Sequence, residues 1–285
     1  MKKWSLAALL FLSLSLHAQT DVLIEVDTGR KDGSGASVAQ RAILTLPPAT
    51  TDTVLLHFRG NPGYAMIKGL QDKVRGGRTH SWMYKGNVQE MFMQAGIAFA
   101  LVDCPTDQWG QTPKPPATNC LNDYRGSKQA ADDVRRIMAQ LKEKHGFTRF
   151  YILGHSIGTV PSRWLAINLG KGEVAGIIHS ATINHHSPRG PLLDIIGYLT
   201  NDFPRKAAGM PMLHLHHEND GCNVTPYDIV RRYAKDNLVT VRGGVGTGDP
   251  CAGHLHSYEG REDAAGAAVI AWIKTGKVET YAGSE

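Results

Sequence analysis

Arg149-Phe-Tyr-Ile-Leu-Gly-His-Ser-Ile-Gly158 carries an apolar, β-type run straight into a serine framed by two glycines. Residues 149–153 read as a strand, and the chain after the turn reads as a helix through Asn168. A G-x-S-x-G pattern between strand and helix puts Ser156 on a sharp corner. Gly154 and Gly158 are small because strand, turn and helix crowd together there. The corner lifts the hydroxyl clear of the strand end, near the positive end of the helix, where its oxygen can attack a carbonyl carbon. Pro161 falls in the first turn of that helix, where its missing N–H costs little.

Outward from this segment, short apolar runs alternate with longer amphipathic ones. Strands are expected at 22–26, 41–46, 53–58, 97–102, 149–153, 174–179, 212–216 and 238–242. Helices are expected at 84–94, 127–145 and 261–274. The second is the clearest: Ala130, Val134, Ile137, Met138 and Leu141 recur at three- and four-residue spacing, with charges on the other face. Such alternation predicts one α/β domain, a mostly parallel eight-stranded sheet with helices on both faces. The first three strands lack intervening helices, so that edge is expected to be antiparallel. The segment 180–210 is too short for a large lid.

With strand, turn and helix in this order, the chain resembles the α/β-hydrolase family over nearly all of its length after the N-terminal segment. The family sets its acid after a late strand and its histidine after the last one. Asp220 occupies the loop after the seventh strand, and the following Val224 and Pro226 loosely resemble the family's D-x-x-V-P ending. Glu218 and Asp228 are the alternative acids. His256-Ser-Tyr-Glu-Gly260 is similar to the family's H-G-F-x-G ending, which favours His256 over His254. The resemblance thus implies a Ser156–Asp220–His256 triad in which His256 moves the proton and Asp220 orients it. Arg59-Gly-Asn-Pro-Gly63 resembles the family's H-G-G-P-G oxyanion loop, with Arg59 and Asn61 departing from it. The backbone N–H groups of Asn61 and Ile157 are accordingly the expected oxyanion donors. Trp109, Trp82 and Tyr84 either line an apolar acyl site or pack at its rim.

Four cysteines, Cys104, Cys120, Cys222 and Cys251, allow three disulfide connectivities. Proximity favours Cys104–Cys120 and Cys222–Cys251, and neither spacing suits a zinc ribbon or a redox motif. The second pair would tie the acid loop to the histidine loop. Residues 1–18 have a basic start at Lys2 and Lys3 and an apolar run over 4–16, which fits a secretory signal peptide cleaved after Ala18. An uncleaved anchor is the alternative, although the run is short for a membrane span. The domain is then 19–285, exported to the periplasm or the medium.

The chain of 285 residues is 42% hydrophobic and 20% charged, which excludes a disordered polymer. Its net charge of +5 comes without long basic runs, which argues against a nucleic-acid partner. His185, His186, His214, His216 and His217 cluster in number, yet lack the spacing of a binuclear zinc hydrolase, so no metal is expected. The remaining histidines read as strand-end or surface groups. Arg59, Lys68, Lys73, Arg75 and Arg78 read as a solvated loop face, the alternative being an attraction for anionic substrates. The expected activity is hydrolysis of a small-molecule carboxylic ester through an acyl-enzyme, without cofactor and without stable membrane insertion after cleavage of the signal. A peptidase or amidase, and a non-catalytic binding protein, are the other readings. The sequence leaves the oligomeric state open.

Overall fold

A computed structural model describes residues 20–72, 81–109, 120, 122–184, 207 and 209–284. Nine strands form one sheet in the order β1-β2-β4-β3-β5-β6-β7-β8-β9. They are β1 (Thr20–Lys31), β2 (Ser37–Leu46), β3 (Thr53–Phe58), β4 (Ala98–Val102), β5 (Arg149–His155), β6 (Gly176–Ser180), β7 (Met212–His217), β8 (Leu238–Val241) and β9 (Tyr281–Ala282). The helices are α1 (Val88–Gln94), α2 (Asn122–Arg125), α3 (Lys128–His145), α4 (Thr159–Asn168), α5 (Tyr227–Ala234) and α6 (Glu262–Thr275).

The central strands alternate between two cores because successive side chains leave a strand on opposite faces. Val54, Leu56, Ala100 and Ile152 turn to one side, onto Val134, Ile137 and Leu141 of α3 and Leu165 of α4. Leu55, Phe99 and Leu153 turn to the other, onto Phe92 of α1 and Val269 and Trp272 of α6. Each large side chain fully buried in this way contributes about 1.5–3 kcal/mol relative to exposure, an upper figure given residual burial in the unfolded chain. Ser127 caps α3 by accepting from the Ala130 N–H at 3.1 Å, and Gly146 ends it in the left-handed region.

Three expectations need correction. The sheet has nine strands rather than eight: β9 is a two-residue strand paired parallel to β8, too short to leave a pattern in the sequence. The antiparallel edge comprises only β1 and β2, whereas β3 inserts between β4 and β5 and runs parallel to both. The segment 84–94 is not one helix. A 3-10 turn at Trp82–Tyr84 is separated from α1 by Gly86 at φ 55°, where a Cβ would stand 2.7 Å from Asp263 Oδ1. Helix α5 was not anticipated; only Val230 and Ala234 of it are buried, too little for a periodic signal. Residues 185–206, on which the expectation of a minimal lid rests, lie outside the described residues. Among those described, no helix is long and apolar enough to cross a membrane.

Candidate active site

Ser156 follows the last residue of β5 and has φ 54°, a left-handed conformation that an L-residue adopts only under constraint. The constraint is visible in the two glycines. A Cβ on Gly154 would run into the Gly158 carbonyl and stand 2.5 Å from Ser162 Oγ. One on Gly158 would run into the Phe58 carbonyl and stand 2.8 Å from that of Arg59. The second contact also shows that the loop leaving β3 packs directly against the turn after Ser156. Ile157, packed with Val160 and Ile183, opens the helical turn, where backbone N–H groups have no intrahelical acceptor.

The β3 loop is itself braced. Gly63 N–H donates to the Gly60 carbonyl at 2.8 Å, and the Asn61–Pro62 peptide is cis. Asn61 is exposed at its crest. Beyond it, the N–H groups of Ala65 and Ile67, both at 2.7 Å, and of Cys104 at 2.9 Å converge on the buried Asp103 carboxylate. Burial raises Asp103 to about 6 against those bonds and against the Arg59 charge. Arg59 is 3% exposed, so it does not belong to a solvated loop face. Lys73, Arg75 and Arg78 lie outside the described residues.

Asp220 and His256 meet. His256 Nδ1 lies 2.9 Å from Asp220 Oδ2 and 3.2 Å from Thr225 Oγ1. Thr225 Oγ1 donates to Asp220 Oδ2 at 2.9 Å, and Cys222 N–H donates to Oδ1 at 2.9 Å. His216, four residues before Asp220, donates from Nε2 to the Thr225 carbonyl at 2.9 Å and lies 3.3 Å from Asp220 Oδ2. Burial would raise the Asp220 carboxyl, but the bonds from His216 and His256 and their charge hold it well below the usual carboxylate range. His256 Nε2 is buried and has no hydrogen-bond partner among the described residues. Neither alternative acid reaches His256: Glu218 pairs with Arg242 at 2.9 Å, and Asp228 pairs with Arg231 at 3.3 Å on the surface. His254 stands against Gly246 instead of Asp220.

Both disulfides have the connectivity favoured by proximity, with Cα–Cα distances of 6.1 Å for Cys104–Cys120 and 4.7 Å for Cys222–Cys251. The second joins the Asp220 loop to the segment just before His256. Around Asp220, sequence reasoning did not single out Thr225, and it weighed His216 only as part of a metal cluster. The i, i+4 spacing of His216 to Asp220 was the available signal, and nothing marked Thr225.

Behind His256 lies a buried polar layer. His155, whose ring centroid is 5.2 Å from that of His256, shares Ser180 Oγ with Trp82 Nε1, both at 3.0 Å. Ser180 Oγ also bonds Tyr258 OH at 2.8 Å, and Tyr258 donates to the Leu215 carbonyl at 2.8 Å. A tyrosine rather than phenylalanine at 258 therefore closes a hydrogen-bond chain. Burial, then the neighbouring His256 and His57, push His155 far below the ordinary imidazole value and keep it neutral. His57, His155, His179, His214 and His216 are all buried, so they are not surface groups. His214 packs between His179 and Tyr233, at 5.0 and 5.3 Å between centroids. His185 and His186 lie outside the described residues, among which no group of three or more acidic, His or Cys side chains is arranged to hold a metal. Trp82 is completely buried and Tyr84 packs on Phe99 and His57, so neither lines an open acyl pocket. Trp109 is half-buried, with Nε1 donating to the Cys104 carbonyl at 2.9 Å.

A family model described as alpha/beta hydrolase fold matches residues 106–211, which include β5, the Ser156 turn and α4. No curated protein matches the sequence. Among solved structures, a poly(3-hydroxybutyrate) depolymerase from Bordetella parapertussis is similar over 93% of this chain and 93% of its own, with 15% identity and a TM-score of 0.51. An esterase from Pyrococcus furiosus is similar over 90% of this chain and 92% of its own, with 12% identity and a TM-score of 0.51. At such identities the likeness is one of fold. Sheet order, the strained serine between β5 and α4, and the matched segment agree that the chain has the α/β-hydrolase fold.

Proposed function

We propose that this chain is an exported serine hydrolase that cleaves carboxylic esters through an acyl-enzyme, with Ser156 as nucleophile, His256 as general base and acid, and Asp220 as its orienting partner. The observation that carries the reading is the Ser156 backbone at φ 54°, held between two glycines that admit no side chain. The Asp220–His256 pair supports it, as does the unpartnered Nε2 that a serine proton requires. In substrate-free sites the nucleophile–base bond is often long and tightens only in the complex.

Ser156 Oγ attacks the ester carbonyl while its proton passes to His256 Nε2. The oxyanion forms against the N–H groups of Asn61 and Ile157. Collapse of the intermediate returns the proton to the leaving alcohol. Water then repeats the sequence and releases the acid. Asp220 stays ionised throughout and stabilises the imidazolium. A neutral His155 suits this cycle, because a second positive ring 5.2 Å away would oppose charge on His256. No cofactor enters.

The esterase and depolymerase names carried by the fold relatives favour an ester substrate, of small-molecule size, over an amide. An amidase or peptidase is the second reading, favoured by the likeness of Arg59-Gly-Asn-Pro-Gly63 to an H-G-G-P-G loop. Export rests on the signal-like residues 1–18 and on two disulfides, which persist in oxidising compartments; the working enzyme is then 19–285.

The test is labelling with a fluorophosphonate probe, followed by turnover of p-nitrophenyl esters of graded chain length beside aminoacyl amides. The wild type should label and hydrolyse esters. Ser156→Ala should neither label nor turn over, with a loss of roughly 10⁴-fold or more. Ordinary turnover in Ser156→Ala overturns the reading, and faster amide than ester cleavage replaces it with the second.

A further inference from the structure

Arg125, the last residue of α2, is 2% exposed, and its Nε, Nη1 and Nη2 are all buried without a hydrogen-bond partner among the described residues. It stands in a cavity of about 20 Å³, the space open to a water-sized occupant, bounded by Phe58, Gly63, Asp103, Tyr124 and Pro161. The guanidinium lies against the Cα of Gly63, where a Cβ would stand 2.8 Å from Cζ. The cavity therefore sits beneath the 59–63 loop rather than at the substrate mouth, and Ser156 and His256 do not line it.

Arg125 and Arg59 are both buried near the Asp103 carboxylate. That carboxylate already accepts three backbone N–H bonds and feels the Arg59 charge as well. Burial lowers the Arg125 pKa to about 10 against the Asp103 charge, so the group remains protonated at neutral pH. A buried, protonated guanidinium with no acceptor is one of the least favourable arrangements a fold can hold. Buried charges ordinarily have a counter-ion or ligand.

We propose that this cavity is a binding site for one small monovalent anion of the halide class, held by the Arg125 guanidinium beneath the β3 loop. Size selects the ligand. About 20 Å³ is open to the centre of a water-sized occupant, which is room for a single chloride or bromide. Charge selects it again: a water can accept N–H bonds but leaves the guanidinium uncompensated. The bound anion braces Gly63 and the loop above it, and the site stands whether or not Ser156 is a nucleophile.

The experiment is thermal unfolding of the purified protein in sodium gluconate, titrated with sodium chloride or bromide at constant ionic strength. Gluconate is too large for the cavity. Halide should raise the melting temperature saturably, on the order of a few degrees for a domain of this size, and Arg125→Met should abolish the response. A bromide-soaked crystal should show an anomalous peak within hydrogen-bond distance of Arg125. An Arg125→Met protein that responds like wild type overturns the proposal. Where that variant does not fold, the crystal decides: a bromide peak at Arg125 supports the site, and water alone or an empty cavity overturns it.

Discussion

The φ of 54° at Ser156 has a thermodynamic consequence that can be separated from catalysis. In the left-handed region the Cβ of an L-residue crowds the following carbonyl oxygen, at about 1–2 kcal/mol. Replacing Ser156 by glycine removes the Cβ and with it that strain. Glycine costs about 0.5–1 kcal/mol through the greater freedom of its unfolded chain. Ser156 is 9% exposed and bridges no buried partner, so little packing is lost with the hydroxymethyl group. The net expectation is a gain of about 0.5–1 kcal/mol, or ~1–4 °C in melting temperature for a domain of this length. Ser156→Ala keeps the Cβ and should melt within ~1 °C of wild type. Both variants should be inactive. Calorimetry or circular-dichroism melts of the three proteins, run side by side at one pH, read the difference directly. If Ser156→Gly melted at or below Ser156→Ala, the strain at the turn would be relieved elsewhere, and the account of why the two glycines flank this serine would fail.

His256→Ala should be nearly inactive while His254→Ala retains most turnover, since of these two His256 alone reaches Asp220; the reverse ranking in ester assays would shift the last loop by two residues. The Cys222→Ser/Cys251→Ser double variant should lose about 3–4 kcal/mol at most in urea unfolding. Its turnover should fall further than that loss implies, because misplacing a general base by about 1 Å can cost on the order of 10²-fold; equal effects on both would deny the bridge its role in holding the loops. Asp220 titrates in the folded state well below its unfolded value of about 3.9. Its contribution to stability is thus fully present above pH ~4 and is lost as pH falls through the lower, folded value. Asp220→Asn should flatten the acid limb of the stability–pH curve, and an unchanged limb would mean that other carboxylates govern it.

The segment 149–158 was legible because its information is local. Strand, turn and helix signals lie within twenty residues, and the glycines are required by contacts inside that same unit, apart from the Phe58 carbonyl. The α3 stripe was legible for a similar reason, whereas Asp220 came from the family resemblance. His256 came from a motif resemblance, and its contact with Asp220 spans a fold that no local pattern describes.

What the sequence determined alone was therefore the parallel α/β class and the serine turn, both consequences of side-chain periodicity, while chain proximity favoured one disulfide pairing without fixing it. Only the tertiary structure decided the rest. Insertion of β3 between β4 and β5, and pairing of two-residue β9 with β8, depend on backbone hydrogen bonds that carry no side-chain signature. His216 and Thr225 reach Asp220 because a strand end and the loop after it fold back on one another. Burial most of all was hidden: Arg59 reads as part of a solvated loop face and nothing in the sequence marks Arg125, and it is the packing of loops over the sheet's end that removes both from water and makes their charges matter.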